Sequence, residues 1–219
     1  VIVPHRALAD YLISNGCEPG QVSVIPPSAD PGGFAQPAYD DAPAEVLYTG
    51  NLDAYQNLGL LEEAMRGVRD ADPAARLVVA TAAANPGPRV YAAETISSAG
   101  MTPPREALAR AVIVVCPRVS WSGYPIKILN AMAAGRPVIA CRSAAGPITD
   151  GIDGVIVPDN DSRALAEAIL RLRRDRSLRE YLGTAARETI RTQHRRALLV
   201  RRIETVYDAV CGTAESLPE

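Results

Sequence analysis

Short, continuous apolar runs alternate with amphipathic stretches along most of this chain. Residues 46–49, 76–80, 95–98, 112–116, 137–140 and 154–157 are brief and rich in β-branched side chains, and they predict strands. Residues 58–68, 105–110, 125–134, 162–174, 178–192 and 197–210 carry apolar positions at helical spacing. Strands without polar alternation indicate a parallel sheet covered on both sides. The predicted fold class is therefore α/β, a Rossmann-like parallel sheet with helices on both faces. Such sheets hold ligands beside the loops at the carboxyl ends of their strands, so those loops become the site candidates.

The first residues follow a different rhythm. Val1-Ile2-Val3 reads as a strand, and a helix expected from Pro4 carries Leu8, Leu12 and Ile13 on one face before Asn15-Gly16 closes it. Residues 22–25 read as a second short strand. A single βαβ fragment cannot bury both of its faces. Residues 1–27 are thus expected to be the last βα unit of a truncated N-terminal domain. The Pro-, Gly- and Asp-rich stretch that follows predicts a linker over 28–44. The main domain is expected over 45–205, with a C-terminal tail over 206–219.

Composition narrows the chemistry. A formal net charge of −2 offers no field for nucleic acid, and 5% aromatic residues make a poor base-stacking platform. No apolar run reaches the ~18 residues of a membrane span, and no signal peptide is expected from the opening residues. Cys17, Cys116, Cys141 and Cys211 lack ligand spacing and read as reduced thiols, so a cytoplasmic location is expected. Arg171, Arg173, Arg174, Arg176, Arg195, Arg196, Arg201 and Arg202 outnumber nearby acids. A solvated face is the ordinary reading, and contact with the inner membrane surface or another domain is the other. His5 and His194 are isolated and read as solvated or capping residues. His-x-x-His and Cys-x-x-Cys are both absent, so no metal site is expected.

The most informative segment is 115–141, VCPRVSWSGYPIKILNAMAAGRPVIAC. It reads as a strand, a glycine-containing loop, a helix opening with Pro125, a Gly135 stop and a second strand. A loop feeding a helix N-terminus gathers backbone N–H groups and about half a positive charge at one spot, which suits a phosphate. Ile126, Leu129 and Met132 or Ala133 predict the apolar stripe of this helix. Gly123, Lys127 and Asn130 recur on another face, giving a cation for phosphate and an amide for ribose hydroxyls, or simply a solvated face. Gly50, directly after the first main-domain strand, lets backbone approach a ligand closely.

Four segments, Tyr48-Thr49-Gly50-Asn51, Tyr55-Gln56-Asn57, Pro117-Arg118 and Gly123-Tyr124-Pro125-Ile126-Lys127, resemble the donor-binding half of GT-B glycosyltransferases of the retaining family 4 group. That family places a basic residue beside the first glycine and a lysine before the next helix. It also has two glutamates eight positions apart, around Gly-Phe-Pro. Here Asn51 and Gln56 stand at the cationic positions, and Ser122 and Asn130 stand at the glutamates. The resemblance implies that Gly50, Asn51, Gln56, Arg118, Ser122, Gly123, Tyr124 and Lys127 hold a donor diphosphate. It implies ribose contact by Asn130 and base contact by Thr81, Gly100 and Met101, while residues 143–146 would line the sugar pocket. No catalytic residue is assigned. No cofactor is expected, because the nucleotide-diphosphate sugar is the substrate, and the acceptor would be a sugar, a lipid or another small molecule. A non-catalytic domain of the same fold, or a nucleotide-sugar epimerase, remains the alternative; the lost acids favour the first of these.

Overall fold

The structure, a computed structural model, describes residues 1–34, 45–81, 94–97, 107–108, 111–119 and 123–212. Its main body is a six-stranded sheet of β3 (Val46–Thr49), β4 (Leu77–Thr81), β5 (Glu94–Ser97), β6 (Ile113–Cys116), β7 (Val138–Cys141) and β8 (Val155–Val157). Every pairing is parallel, in the order β5-β4-β3-β6-β7-β8. Every residue of β3, β4, β6 and β7 is buried, as their unbroken apolar runs require.

Alternate strand residues feed two cores. Val46 and Tyr48 join Leu61, Met65, Leu165 and Ile169 on one side. Leu47 and Val114 join Ile128, Leu129, Met132 and Ile190 on the other. Helices α2 (Leu58–Ala71) and α4 (Ser162–Arg174) cover the first side; α3 (Ile126–Ala133) and α5 (Arg176–Gln193) cover the second. The strand order reverses between β3 and β6, so a crevice opens beyond their carboxyl ends.

The N-terminal strands β1 (Ile2–Val3) and β2 (Ser23–Val24) pair in parallel around α1 (Arg6–Ser14). The helix expected from Pro4 starts two residues later, because His5 caps it by accepting the Leu8 N–H at 3.2 Å. The described part of the expected linker lies fastened along α5. Arg187 donates to the Pro31 and Phe34 carbonyls at 3.0 Å, and the Ala29 N–H donates to the His194 carbonyl at 3.1 Å. His194 is not solvated but buried, at the C-cap of α5, with Nδ1 3.0 Å from the Pro27 carbonyl oxygen.

Several arginines likewise do more than face water. Arg173 pairs with Asp72 at 2.8 Å, and that guanidinium holds the Asp72 carboxyl below its ordinary value. Arg202 donates to the Val24 carbonyl at 2.7 Å. The last helix, α6 (Arg196–Cys211), runs through the first part of the expected tail. All four cysteines are free thiols; Cys116 and Cys141 are buried on adjacent strands but in different cores. Among the described residues no helix is long and apolar enough to cross a membrane. The predicted helix over 105–110 lies outside the described residues except for Ala107 and Leu108, as do linker residues 35–44 and tail residues 213–219.

Candidate donor site at the β3–β6 crevice

The site is assembled where the strand order reverses. β3 ends at Thr49, and Gly50 turns the chain with φ +140°, a conformation that disfavours any side chain. Space is tight there as well. A Cβ here would stand 2.8 Å from Lys127 Nζ and 3.2 Å from the Tyr48 hydroxyl oxygen. Lys127, from the first turn of α3, thus reaches across the crevice to the end of β3.

Its ammonium donates to Gln56 Oε1 at 2.5 Å and to the Tyr48 hydroxyl at 3.3 Å, and it lies 4.6 Å from the centre of the Tyr48 ring. The Tyr48 hydroxyl donates in turn to the Asn51 carbonyl. Gln56 Nε2 donates to Asn51 Oδ1 at 2.7 Å, and Asn51 Nδ2 donates to Asp53 and Tyr55. The Tyr55 ring lies 5.2 Å from the Arg118 guanidinium, which follows β6. Burial holds Lys127 below its ordinary value, and the neighbouring Arg118 charge adds to that. Lys127 makes no ion pair among the described residues.

A profile of the family described as Glycosyl transferases group 1 matches residues 43–175, more than half of the chain. The chain belongs to that family. An exopolysaccharide phosphotransferase of Streptomyces coelicolor is 41% identical over 86 residues, 38% of this chain and 9% of that one. A phosphatidyl-myo-inositol mannosyltransferase of Mycobacterium leprae is 33% identical over 116 residues, 52% of this chain and 31% of that one. HepE of Anabaena, solved in complex with UDP and glucose, has a TM-score of 0.79 at 15% identity, over 95% of this chain and 62% of that one. The chain therefore spans less than a third of either curated relative. Its fold is the Rossmann-like, C-terminal domain of the GT-B glycosyltransferases.

The expected site residues of this glycosyltransferase domain separate into groups. Gly50, Asn51, Gln56, Arg118 and Lys127 come together at the crevice, as just described. Gln56 is buried and both ends of its amide are engaged by protein. Tyr124 points its ring elsewhere, between His5 and His194, with centroids 6.5 and 6.4 Å away. Burial pushes its hydroxyl up to about 12. Gly123 adopts φ +71° at the start of the turn into α3. Asn130 lies half-buried one turn beyond Lys127, and its side chain makes no hydrogen bond among the described residues. Thr81 is buried at the carboxyl end of β4. Ser122, Gly100 and Met101 lie outside the described residues.

Helix α3 differs from its expected form in two ways. Pro125 is its N-cap rather than its first helical residue. Its buried stripe is Ile128, Leu129, Ala131, Met132 and Ala133, while Ile126 is exposed. The Gly135 stop is a Schellman turn: Gly135 at φ +70° donates to the Met132 carbonyl and Arg136 to Ala131, each at 2.9 Å. In the 143–146 loop, Ser143 bonds the Asp159 carboxylate through both its hydroxyl and its N–H. Gly146 presses on Pro125, since a Cβ there would stand 2.9 Å from the proline ring. Asn57 opens α2 but does not cap it; its amide donates to Asn160 at 3.2 Å. Sequence reasoning gave no role to Tyr48 or Tyr55. A tyrosine next to the last residue of a fully buried strand was the available signal, because its hydroxyl needs a partner.

Proposed function

We propose that this domain binds the nucleotide-diphosphate sugar donor of a glycosyltransferase in the β3–β6 crevice, for transfer to an acceptor held by a separate N-terminal domain. The observation that carries the reading is Lys127: a partly buried ammonium at the switch point, held by neutral oxygens, close to a second cation and without an ion pair among the described residues. Such a group is stabilised by an anion entering the crevice. The diphosphate would meet Lys127 and Arg118 beside the Gly123 turn, and Asn130 would take the ribose hydroxyls. Both cations come from the chain itself, so this reading draws on no metal ion. HepE, whose fold this chain shares, was crystallised with UDP and glucose. The acceptor is a sugar, a lipid or another small molecule, and the reaction belongs to the cytoplasm or the inner membrane surface.

Calorimetric titration of the protein with nucleoside diphosphates and with the matching nucleosides tests this. A charge-assisted contact is worth about 1.5–3 kcal/mol, so Lys127→Ala should weaken diphosphate binding about tenfold or more. Nucleoside binding should hardly change. Equal loss for both ligands, or none for either, rejects the assignment.

A further inference from the structure

The β3–α2 turn contributes no cation of its own, yet its residues are tightly organised. Gln56 is 4% exposed and makes two side-chain bonds in opposite directions. Its Oε1 takes a proton of Lys127, and its Nε2 fixes the Oδ1 face of Asn51. With that face fixed, Asn51 offers its Nδ2 to Tyr55, whose ring carries Arg118. Donor directions agree from Lys127 through Gln56 to Asn51, while the Tyr55 hydroxyl sits within reach of both ends of the Asn51 amide.

From this geometry we infer that Gln56 is a positioning residue, not a ligand of the diphosphate: it holds Lys127 across the crevice and, through Asn51 and Tyr55, ties it to Arg118. The inference rests on the donor-site reading above and assigns the labour within it. The neutral frame comes from the β3–α2 turn, and the charges come from the β6–α3 side. Neutrality is essential to this arrangement. A glutamate at position 56 would pair with Lys127 and cancel the charge meant for phosphate. A lysine there would repel it at hydrogen-bonding distance. An amide fixes the ammonium and leaves its charge for an incoming anion, and Lys127, with three donors, has one left after Gln56 and Tyr48.

The test is a double-mutant cycle, read by calorimetry with inorganic pyrophosphate, UDP and GDP, and with melting curves recorded for each variant. Gln56→Leu should lower affinity for all three about tenfold and leave uridine and guanosine binding unchanged. In the Lys127→Ala background, Gln56→Leu should cost far less than in the wild type, because only its indirect hold on Arg118 is then left to lose. Losses that multiply across the two sites would mean that Gln56 touches phosphate itself and would overturn the inference. Wild-type affinity in Gln56→Leu, with loss in Lys127→Ala, would overturn it while leaving the donor site standing. No effect of Lys127→Ala would remove the donor reading beneath it. Gln56→Glu retains an acceptor and guards against a Leu variant that fails to fold. It should bind pyrophosphate at least fivefold more weakly than wild type, and equal binding would refute the role of neutrality.

Discussion

Lys127 is held below its ordinary value of 10.5, first by burial and then by Arg118. The direction sets a pH dependence. Below the lowered value the ammonium is charged and diphosphate binding is at full strength. As pH rises through that value, still under the range of an ordinary lysine, affinity should fall. Lys127→Arg, which stays protonated, should flatten the decline; an unchanged alkaline profile in that variant would contradict the role of Lys127. Folding follows the opposite trend. Between the lowered value and 10.5 the unfolded chain binds the extra proton, so the contribution of Lys127 to stability rises with pH. Asn130 supplies a second prediction at this scale. If its amide takes the ribose diol, Asn130→Leu should cost about 1–3 kcal/mol of nucleotide binding. Asn130→Glu, which restores an acceptor, should bind at least as well as wild type. Titration of both variants with one nucleoside diphosphate measures the difference.

Helix α4 ends on a side chain from its successor. Buried Arg179 of α5 donates to the carbonyls of Leu172 at 2.8 Å and Arg173 at 2.9 Å, which the helix itself leaves open. Arg179→Leu should destabilise the protein by about 1–3 kcal/mol in denaturant titration. Arg174→Leu, on the exposed side, should stay within about 0.5 kcal/mol. The contrast explains what sequence could convey at this scale. The strands were legible because an unbroken apolar run between turns has few other readings. Helix α3 was legible in place but not in phase: eight residues, IKILNAMA, are mostly apolar, and so short a stretch cannot separate a stripe starting at Ile126 from one starting at Ile128. Lys127 and Asn130 stood out as the polar exceptions on that helix. Gln56 appeared only as a neutral residue in a place where the resemblance expects charge, because its partner lies 71 positions away. His194 read as solvated or capping, and Arg179 drew no reading at all, for a similar reason. What buries them comes from the folded-back segment before β3 and from the junction of two helices, and no local pattern records either contact.

Across the molecule, β3 and β6 are the strands that join two half-sheets, β5-β4-β3 and β6-β7-β8. Their register is short, Val46 with Ile113 and Leu47 with Val114. A diphosphate seated beyond their ends would touch both halves at once, through Gly50 on one and Arg118 on the other. Hydrogen exchange should therefore show added protection at the paired amides of β3 and β6 when a nucleoside diphosphate binds, with little change at β7–β8. Uniform protection across the sheet would speak against a ligand straddling the join. The same join has a consequence for how the chain folds. Each half-sheet has its strands close in sequence, but the two halves meet only after the long connection from Thr49 to Ile113 has been closed, at a cost in chain entropy that local pairing does not bear. By sequence separation the seam is expected to close after local pairing, and the ligand crevice to exist only once it has closed. Nucleotide present during refolding would find nothing to grip in the early, half-formed sheet. It would act afterwards, as a rivet that slows the seam from reopening.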